Sequence, residues 1–204
     1  MPKYYMLNKP KGYITACSDK DKKTVLDIFP ESLREELFHV GRLDKDTEGL
    51  LLFTDDGKLC FDLLNPKNEI PKTYICYVLG NVDLKRLDEV SNGVNIYKNS
   101  EKLTAPAKIE VIEETVFSKI KEFLSGKDVS FALRRPDFPV TLVRITITEG
   151  KKHQVKRMMR YMGNRVLYLK RLSFAGIELD KSLKTGEFRE LTKEEIDFLK
   201  NKNN

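Results

Sequence analysis

The segment Thr141–Thr148 constrains the fold most strongly, because its apolar residues recur at every second position. Val143, Ile145 and Ile147 would lie on one face of a strand, and more polar residues would lie on the other. Strands with one polar face are typical of antiparallel sheets, whereas buried parallel strands read as continuous apolar runs. The pattern therefore favours an α+β fold with a mainly antiparallel sheet over a doubly wound parallel one.

The other strand and helix signals alternate irregularly along the chain, which supports the same fold class. The predicted strands are Lys3–Asn8, Leu50–Thr54, Lys72–Leu79, Ala107–Ile112, Thr141–Thr148 and residues 165–174. The predicted helices begin at Thr24 and at Pro30, cover Leu59–Leu64, Asp83–Val90 and Lys152–Met162, and finish with one opened by a Thr192/Glu195 capping box. Residues 117–140 are predicted as a helix and a loop, and they form a possible insertion.

The composition excludes several classes of protein. Of 204 residues, 40% are hydrophobic and 33% charged, as in folded globular proteins. No apolar run approaches the roughly 20 residues that span a bilayer. The chain has three cysteines in no C-x-x-C pair and only two histidines, which argues against a disulfide scaffold and a Cys/His zinc site. We therefore expect a reduced, cytoplasmic protein that needs no metal and no cofactor.

Positive charge is concentrated in one part of the chain. The net charge is +6, but residues 142–171 hold nine basic residues and one acid, which is +8, so the remaining 174 residues sum to −2. Such a concentration is the footprint of a polyanion partner such as nucleic acid. A solvated basic face would give the same pattern.

The acidic segment His39–Gly57 has two interpretations. Carboxylates at positions 44, 46, 48 and 55, with Gly49 among them, approximate the spacing of a calcium loop, although three apolar residues at 50–52 argue against it. The other interpretation is a loop, Gly41–Asp44, that presents one carboxylate at the edge of a buried strand. Arg42 would then lie on the same side as Asp44 and favour its ionised form, unless the two are only a surface ion pair.

Five ordered blocks of sequence resemble the RsuA-type ribosomal RNA pseudouridine synthases. They are YMLNKPKGY at 5–13, GRLDKDTEGLLLFTDDG at 41–57, KTY at 72–74, GKKHQVKRM at 150–158 and LKR at 169–171. The resemblance implies a pseudouridine synthase catalytic fold, with a mixed, mainly antiparallel sheet flanked by helices and an active-site cleft between two subdomains. Residues 1–204 would form a single catalytic domain, with no separate N-terminal RNA-binding domain.

The resemblance also implies a reaction, the conversion of one uridine to pseudouridine in ribosomal RNA after the base is flipped out of its stack. Small-subunit 16S rRNA is the favoured substrate; the alternatives are large-subunit 23S rRNA and a non-catalytic role in rRNA binding or ribosome assembly. The expected partner is ribosomal RNA or a partly assembled ribosomal subunit. The chain is expected to be a monomer and to have no membrane partner.

Specific residues acquire roles through the resemblance. Asp44 matches the catalytic aspartate, which attacks the sugar or the base or removes a proton. Tyr74 matches the tyrosine that stacks on the flipped base, Lys156 the cation that pairs with the aspartate, and Arg42 the residue that fills the vacated space. The remaining substrate-binding candidates are Lys9, Lys152, His153, Gln154, Arg157, Arg160 and Arg171. The residues alone also allow purely structural roles, as a core aromatic for Tyr74 and as a solvated helix face for the basic residues of 152–160.

Overall fold

A computed structural model describes residues 2–97 and 101–201, and the chain divides into two compact units. Unit 1 comprises Met1–Lys72 and Lys170–Asn204, and unit 2 comprises Thr73–Leu169. Both units lie within residues 1–204, the range predicted to form a single catalytic domain.

The elements follow one another in the irregular order expected of an α+β protein. The strands are β1 (Tyr4–Lys9), β2 (Phe38–Val40), β3 (Glu48–Thr54), β4 (Lys72–Leu79), β5 (Lys108–Val116), β6 (Pro139–Ile147), β7 (Arg165–Phe174), β8 (Ile177–Glu178) and β9 (Phe188–Glu190). The α-helices are α1 (Glu31–Arg34), α2 (Gly57–Leu64), α3 (Leu84–Asn92), α4 (Lys127–Arg134), α5 (Gln154–Tyr161) and α6 (Lys193–Asn201). Short 3₁₀ helices cover Val25–Ile28, Pro66–Asn68 and Phe117–Phe123.

Unit 1 is built around β1, which pairs antiparallel with β3 on one side and with β9 on the other. β2 pairs antiparallel with β3, whereas the first residues of β3 pair parallel with the last part of β7. Met6 and Leu50 have no exposed surface, and helices α2 and α6 contribute Leu59, Leu63 and Leu199 to the same core. β1 is buried along its whole length, so both of its faces are covered.

Unit 2 contains the strand order β5, β6, β4, β7. β5 and β6 form an antiparallel ladder from Lys108 opposite Thr146 to Val116 opposite Pro139. Val143, Ile145 and Ile147 are buried, while Arg144 is exposed. The alternation in the sequence therefore correctly predicts the buried face of β6.

The predicted class, α+β with a mixed and mainly antiparallel sheet, is confirmed. Several predicted boundaries are wrong. β3 begins two residues earlier than predicted, because Glu48 and Gly49 pair with β7. The predicted helix over residues 30–37 is only α1, with Pro30 as its N-cap. Residues 117–140 contain two helices rather than one, and the short strands β2, β8 and β9 were not predicted.

No helix in the described part of the chain is long and apolar enough to cross a bilayer. The predicted cytoplasmic location and monomeric state remain predictions.

Gly49 marks the tightest backbone approach in unit 1. Its φ of +102° lies in the region that favours glycine, and a Cβ atom there would lie 2.2 Å from the carbonyl oxygen of Arg171. We expect Gly49→Ala to lower the free energy of unfolding by at least about 3 kcal/mol, because both partners are buried backbone. Gly57→Ala, where a Cβ meets nothing within 4 Å, is the matched control and should change it by less than about 1 kcal/mol. Urea unfolding of the two variants measures both values.

Candidate active site

The loop between β2 and β3, residues 41–47, presents Asp44, and its backbone is held on both sides of that residue. The buried hydroxyl of Thr15 accepts a hydrogen bond from the Leu43 N–H at 3.1 Å and donates one to the Leu43 carbonyl at 2.8 Å. The Gly12 N–H donates to the Lys45 carbonyl at 2.8 Å, and the Thr47 N–H closes a turn onto the Asp44 carbonyl. The residues flanking Asp44 are therefore tied to the chain that follows β1.

Lys9 lies beneath this loop with no exposed surface. Its ammonium group donates to the carbonyl oxygens of Pro10, Asp44 and Thr47 at 3.0, 3.2 and 2.9 Å, and lies 3.4 Å from that of Lys45. A buried ammonium needs such acceptors, since an unsolvated charge is costly. These bonds give Lys9 a structural role in holding the loop, and its substrate-binding role stays a prediction.

The side chains around Asp44 follow the expected alternation. Leu43 is buried, whereas Arg42 is exposed and Asp44 is half-buried. The calcium-loop interpretation is wrong: Glu48 lies in β3, and the described residues contain no group of three His, Cys, Asp or Glu that could hold a metal.

His39 and Gly41 fix the start of the loop. Nδ1 of His39 donates a hydrogen bond to the Gly41 carbonyl at 2.9 Å, and Gly41 has a φ of +75° with Leu64 packed against it. Burial lowers the pKa of His39 below its ordinary value, and the charge of Arg42 lowers it further, while the bond to Gly41 partly opposes both. The imidazole is therefore held in its neutral form near neutral pH.

In unit 2, Tyr74 lies near the start of β4 on the strand's buried face, in line with Cys76 and Val78. It is 8% exposed, and the adjacent Thr73 hydroxyl is hydrogen-bonded to that of Thr146 at 2.9 Å. This position suits a core aromatic and also a residue at the rim of a pocket. The stacking role of Tyr74 stays a prediction.

Helix α5 has one apolar and one basic face. Val155, Met158, Met159 and Met162 are buried, as their spacing predicts. Lys156 is half-buried, as is Arg157, whose guanidinium lies 4.3 Å from the ring of Tyr97. Lys152, His153 and Arg160 are exposed, and His153 begins the helix with a φ of +55°.

Gln154 is not on the basic face but inside a hydrogen-bond network that the sequence analysis missed. It is 3% exposed, its Nε2 donates to Glu149 Oε1 at 2.7 Å, and its Oε1 accepts from the Lys151 N–H. Glu149 also accepts from the Ala105 N–H and pairs with Lys151 Nζ at 3.0 Å. Gln154 therefore helps to position the start of α5, and its substrate-binding role stays a prediction. Glu149 is the one acid among the nine basic residues of 142–171, and this isolation is the feature of the sequence that could have identified it.

Arg171 lies inside unit 1. It is 1% exposed, its Nε donates to the Leu50 carbonyl at 2.7 Å, and its guanidinium lies 5.0 Å from the ring of Phe174. The bond to Leu50 ties β7 to β3. The substrate-binding role of Arg171 stays a prediction.

The chain is similar over most of its length to known proteins. The profile of the family described as RNA pseudouridylate synthase matches residues 3–161. An uncharacterized RNA pseudouridine synthase of Bacillus subtilis is 43% identical over 200 residues, covering 96% of this chain and 72% of the relative. The ribosomal small subunit pseudouridine synthase A of Escherichia coli is 38% identical over 195 residues, covering 96% and 73%.

A solved structure described as a pseudouridylate synthase is also similar to this chain. It superposes with a TM-score of 0.79 at 33% identity and covers 98% of this chain and 74% of that one. The human RNA pseudouridylate synthase domain containing 1, at 12% identity and a TM-score of 0.55, shares the fold.

Replacing Lys9 tests its role beneath the loop. We expect Lys9→Met to lower the free energy of unfolding by at least about 2 kcal/mol, because buried carbonyl oxygens lose their donor. Lys45→Met, which changes an exposed lysine of the same loop, should change it by less than about 0.5 kcal/mol. An equal effect of the two substitutions in urea unfolding would contradict the assigned role of Lys9.

The lowered pKa of His39 predicts a pH dependence of stability. The unfolded chain binds a proton at His39 near pH 6.5, whereas the folded chain binds it only at lower pH. The stability contributed by neutral His39 is therefore complete above about pH 7 and is lost as the pH falls through about 6. The decrease in the free energy of unfolding between pH 7.5 and 5.5 should be smaller in His39→Gln than in the wild type. Equal decreases in the two proteins would contradict the prediction.

Proposed function

This chain belongs to the RNA pseudouridylate synthase family and is an RNA pseudouridine synthase, and on that premise we propose that it converts one uridine of small-subunit ribosomal RNA to pseudouridine. The choice of substrate is supported by relatives named ribosomal small subunit pseudouridine synthase A, 38–39% identical to this chain in E. coli and Salmonella. The same reaction on large-subunit RNA is an outcome of the test below.

The reaction is an isomerisation within one nucleotide. The bond between N1 of uracil and C1′ of the ribose breaks, a bond forms between C5 and C1′, C5 gives up its proton and N1 gains one. Atoms and electrons balance with no co-substrate. The protein must therefore supply an accessible nucleotide, a carboxylate at the reacting atoms and a surface that holds the detached base.

The observation that carries the proposal is the fixed position of Asp44. Leu43 on one side and Lys45 on the other are hydrogen-bonded to the chain after β1, and the Asp44 carbonyl accepts from the buried Lys9 ammonium. A half-buried carboxylate on a rigid backbone suits attack or proton removal at a defined atom, because a reacting group held in place avoids an entropic cost. We assign Asp44 as the catalytic carboxylate.

The other site residues receive roles on the same premise. For two residues of unit 2 we propose the roles that the resemblance implies: for Tyr74, stacking on a flipped uracil, and for Lys156, that of the cation. For Arg42, exposed two residues before Asp44, we propose that it fills the space that the flipped base leaves. Lys152, Arg157 and Arg160 are available for phosphates on the basic face of α5, and His153 is available for a polar contact at its start.

The experiment is release of tritium from rRNA labelled at uracil C5. Wild type should release one equivalent from small-subunit rRNA, and Asp44→Asn should react slower by on the order of a thousandfold or more, because the amide can neither attack nor accept a proton. Asp46→Asn, two residues away on the same loop, is the matched control and should stay within about threefold of wild type.

Three results would change the proposal. Release only from large-subunit rRNA would overturn the substrate and keep the reaction. Full activity of Asp44→Asn would overturn the catalytic assignment. Binding without release, on free rRNA and on assembly intermediates alike, would instead indicate an rRNA-binding or assembly protein.

A further inference from the structure

Residues 117–138 form a module of unit 2 that packs on β4, β6 and β7 through a small shared core. The ring of Phe131 lies 5.4 Å from that of Phe117 and 5.6 Å from that of Phe138, and Ile120 is buried with them. The Phe117 N–H donates to the Phe138 carbonyl at 3.0 Å and closes the base of the module. The side chains on its surface therefore project from an ordered scaffold.

The exposed charges of this module are mostly positive and lack acidic partners. None of its five exposed basic residues has a carboxylate oxygen within 4.0 Å in the part of the chain that the structure describes. They are Lys119, Lys121, Lys127, Arg134 and Arg135. By contrast, Arg144 on β6 is paired with Glu110, and Arg189 on β9 with Asp180 and Glu195. The basic residues of the module are therefore not used in the ion pairs of the fold.

The acids of the module do not cancel this charge. Asp128 is engaged by Arg165 through two hydrogen bonds, at 2.6 and 3.2 Å, which attach α4 to the start of β7. Only Glu122 and Asp137 remain, so five basic residues against two acids leave +3 outside that pair. The ion pair thus engages one of the three acids of the module.

Three of the cations lie on adjoining chain segments. The Ser118 N–H donates to the Pro136 carbonyl at 2.9 Å, so Lys119 and Arg135 each lie one residue from a direct backbone contact. Arg134, the last residue of α4, precedes Arg135 directly. Guanidinium groups bind phosphate through paired N–H donors, which makes two consecutive arginines a suitable phosphate contact.

We propose that the module is a second RNA-binding surface, which binds backbone phosphates in addition to the basic face of α5. The proposal rests on the proposed function in that RNA is the substrate. Phosphate contacts of this kind fix the register of the RNA without reading its sequence. Val129 and Leu133, which lie four residues apart and are 40% and 68% exposed on α4, would instead suit a protein partner. The unpaired cations beside them favour RNA.

The test compares two triple variants of the full-length chain that remove the same charge. Binding of transcribed 16S rRNA is measured against salt concentration for Lys119→Gln/Arg134→Gln/Arg135→Gln and for the control Lys20→Gln/Lys22→Gln/Lys181→Gln, whose residues are exposed in unit 1. Three lost phosphate contacts should reduce the slope of log K against log salt by about 2, and affinity at low salt by at least about tenfold. The control should keep both the wild-type slope and the wild-type rate of isomerisation.

Three results would overturn the inference. An unchanged slope in the module variant excludes phosphate contacts there, and an equal change in the control indicates a nonspecific effect of net charge. Loss of ribosomal-particle binding in Val129→Ser/Leu133→Ser, with the module variant unaffected, identifies a protein partner instead. A different result separates the two proposals. If neither the wild type nor the variants form pseudouridine but the module variant still has the reduced salt slope, the proposed function is wrong and the second RNA-binding surface is supported.

Discussion

A buried ammonium group organises the candidate site in unit 1. Lys9 brings a charge into a region with no solvent, and such a charge is tolerated only where acceptors surround it. Carbonyl oxygens of the 41–47 loop, including that of Asp44, supply them together with Pro10. The loop cannot move away without leaving a buried cation unsatisfied, so the position of Asp44 is coupled to β1 and its core. A reactive carboxylate is thereby held on a segment with no regular secondary structure.

The other end of the loop depends on a backbone contact. Gly49 meets the carbonyl of Arg171 so closely that any side chain would clash, and the parallel pairing of β3 with β7 follows from this approach. Arg171 is buried at the same place, bonded to Leu50. Two strongly basic residues, Lys9 and Arg171, thus stabilise backbone near the site, although their charge alone suggests contact with RNA.

The positive charge of residues 142–171 is divided among several uses. Arg144, Lys151 and Arg165 have carboxylate partners, and Arg171 is internal, whereas Lys152 and Arg160 face solvent. A sequence count treats these residues as equivalent, since formal charge does not depend on environment. Burial and pairing decide which of them can meet a phosphate. The basic residues of 117–138 have no carboxylate partner in the described structure. This makes them better evidence for a contact with RNA than a count of basic residues would be.

The sequence by itself determined the fold class, the buried faces of β6 and α5, the Thr192/Glu195 capping box and the loop that presents Asp44. These features are local: apolar periodicity, a cap or a turn is encoded within a few adjacent residues. Tertiary structure decided the burial of Lys9 and Arg171, the hydrogen-bond network around Glu149, and the short strands β2, β8 and β9. Lys9 bonds to residues about 35 positions away, and Arg171 to one 121 positions away, so no local pattern could reveal them. A polar side chain takes its role from the partners that folding brings to it.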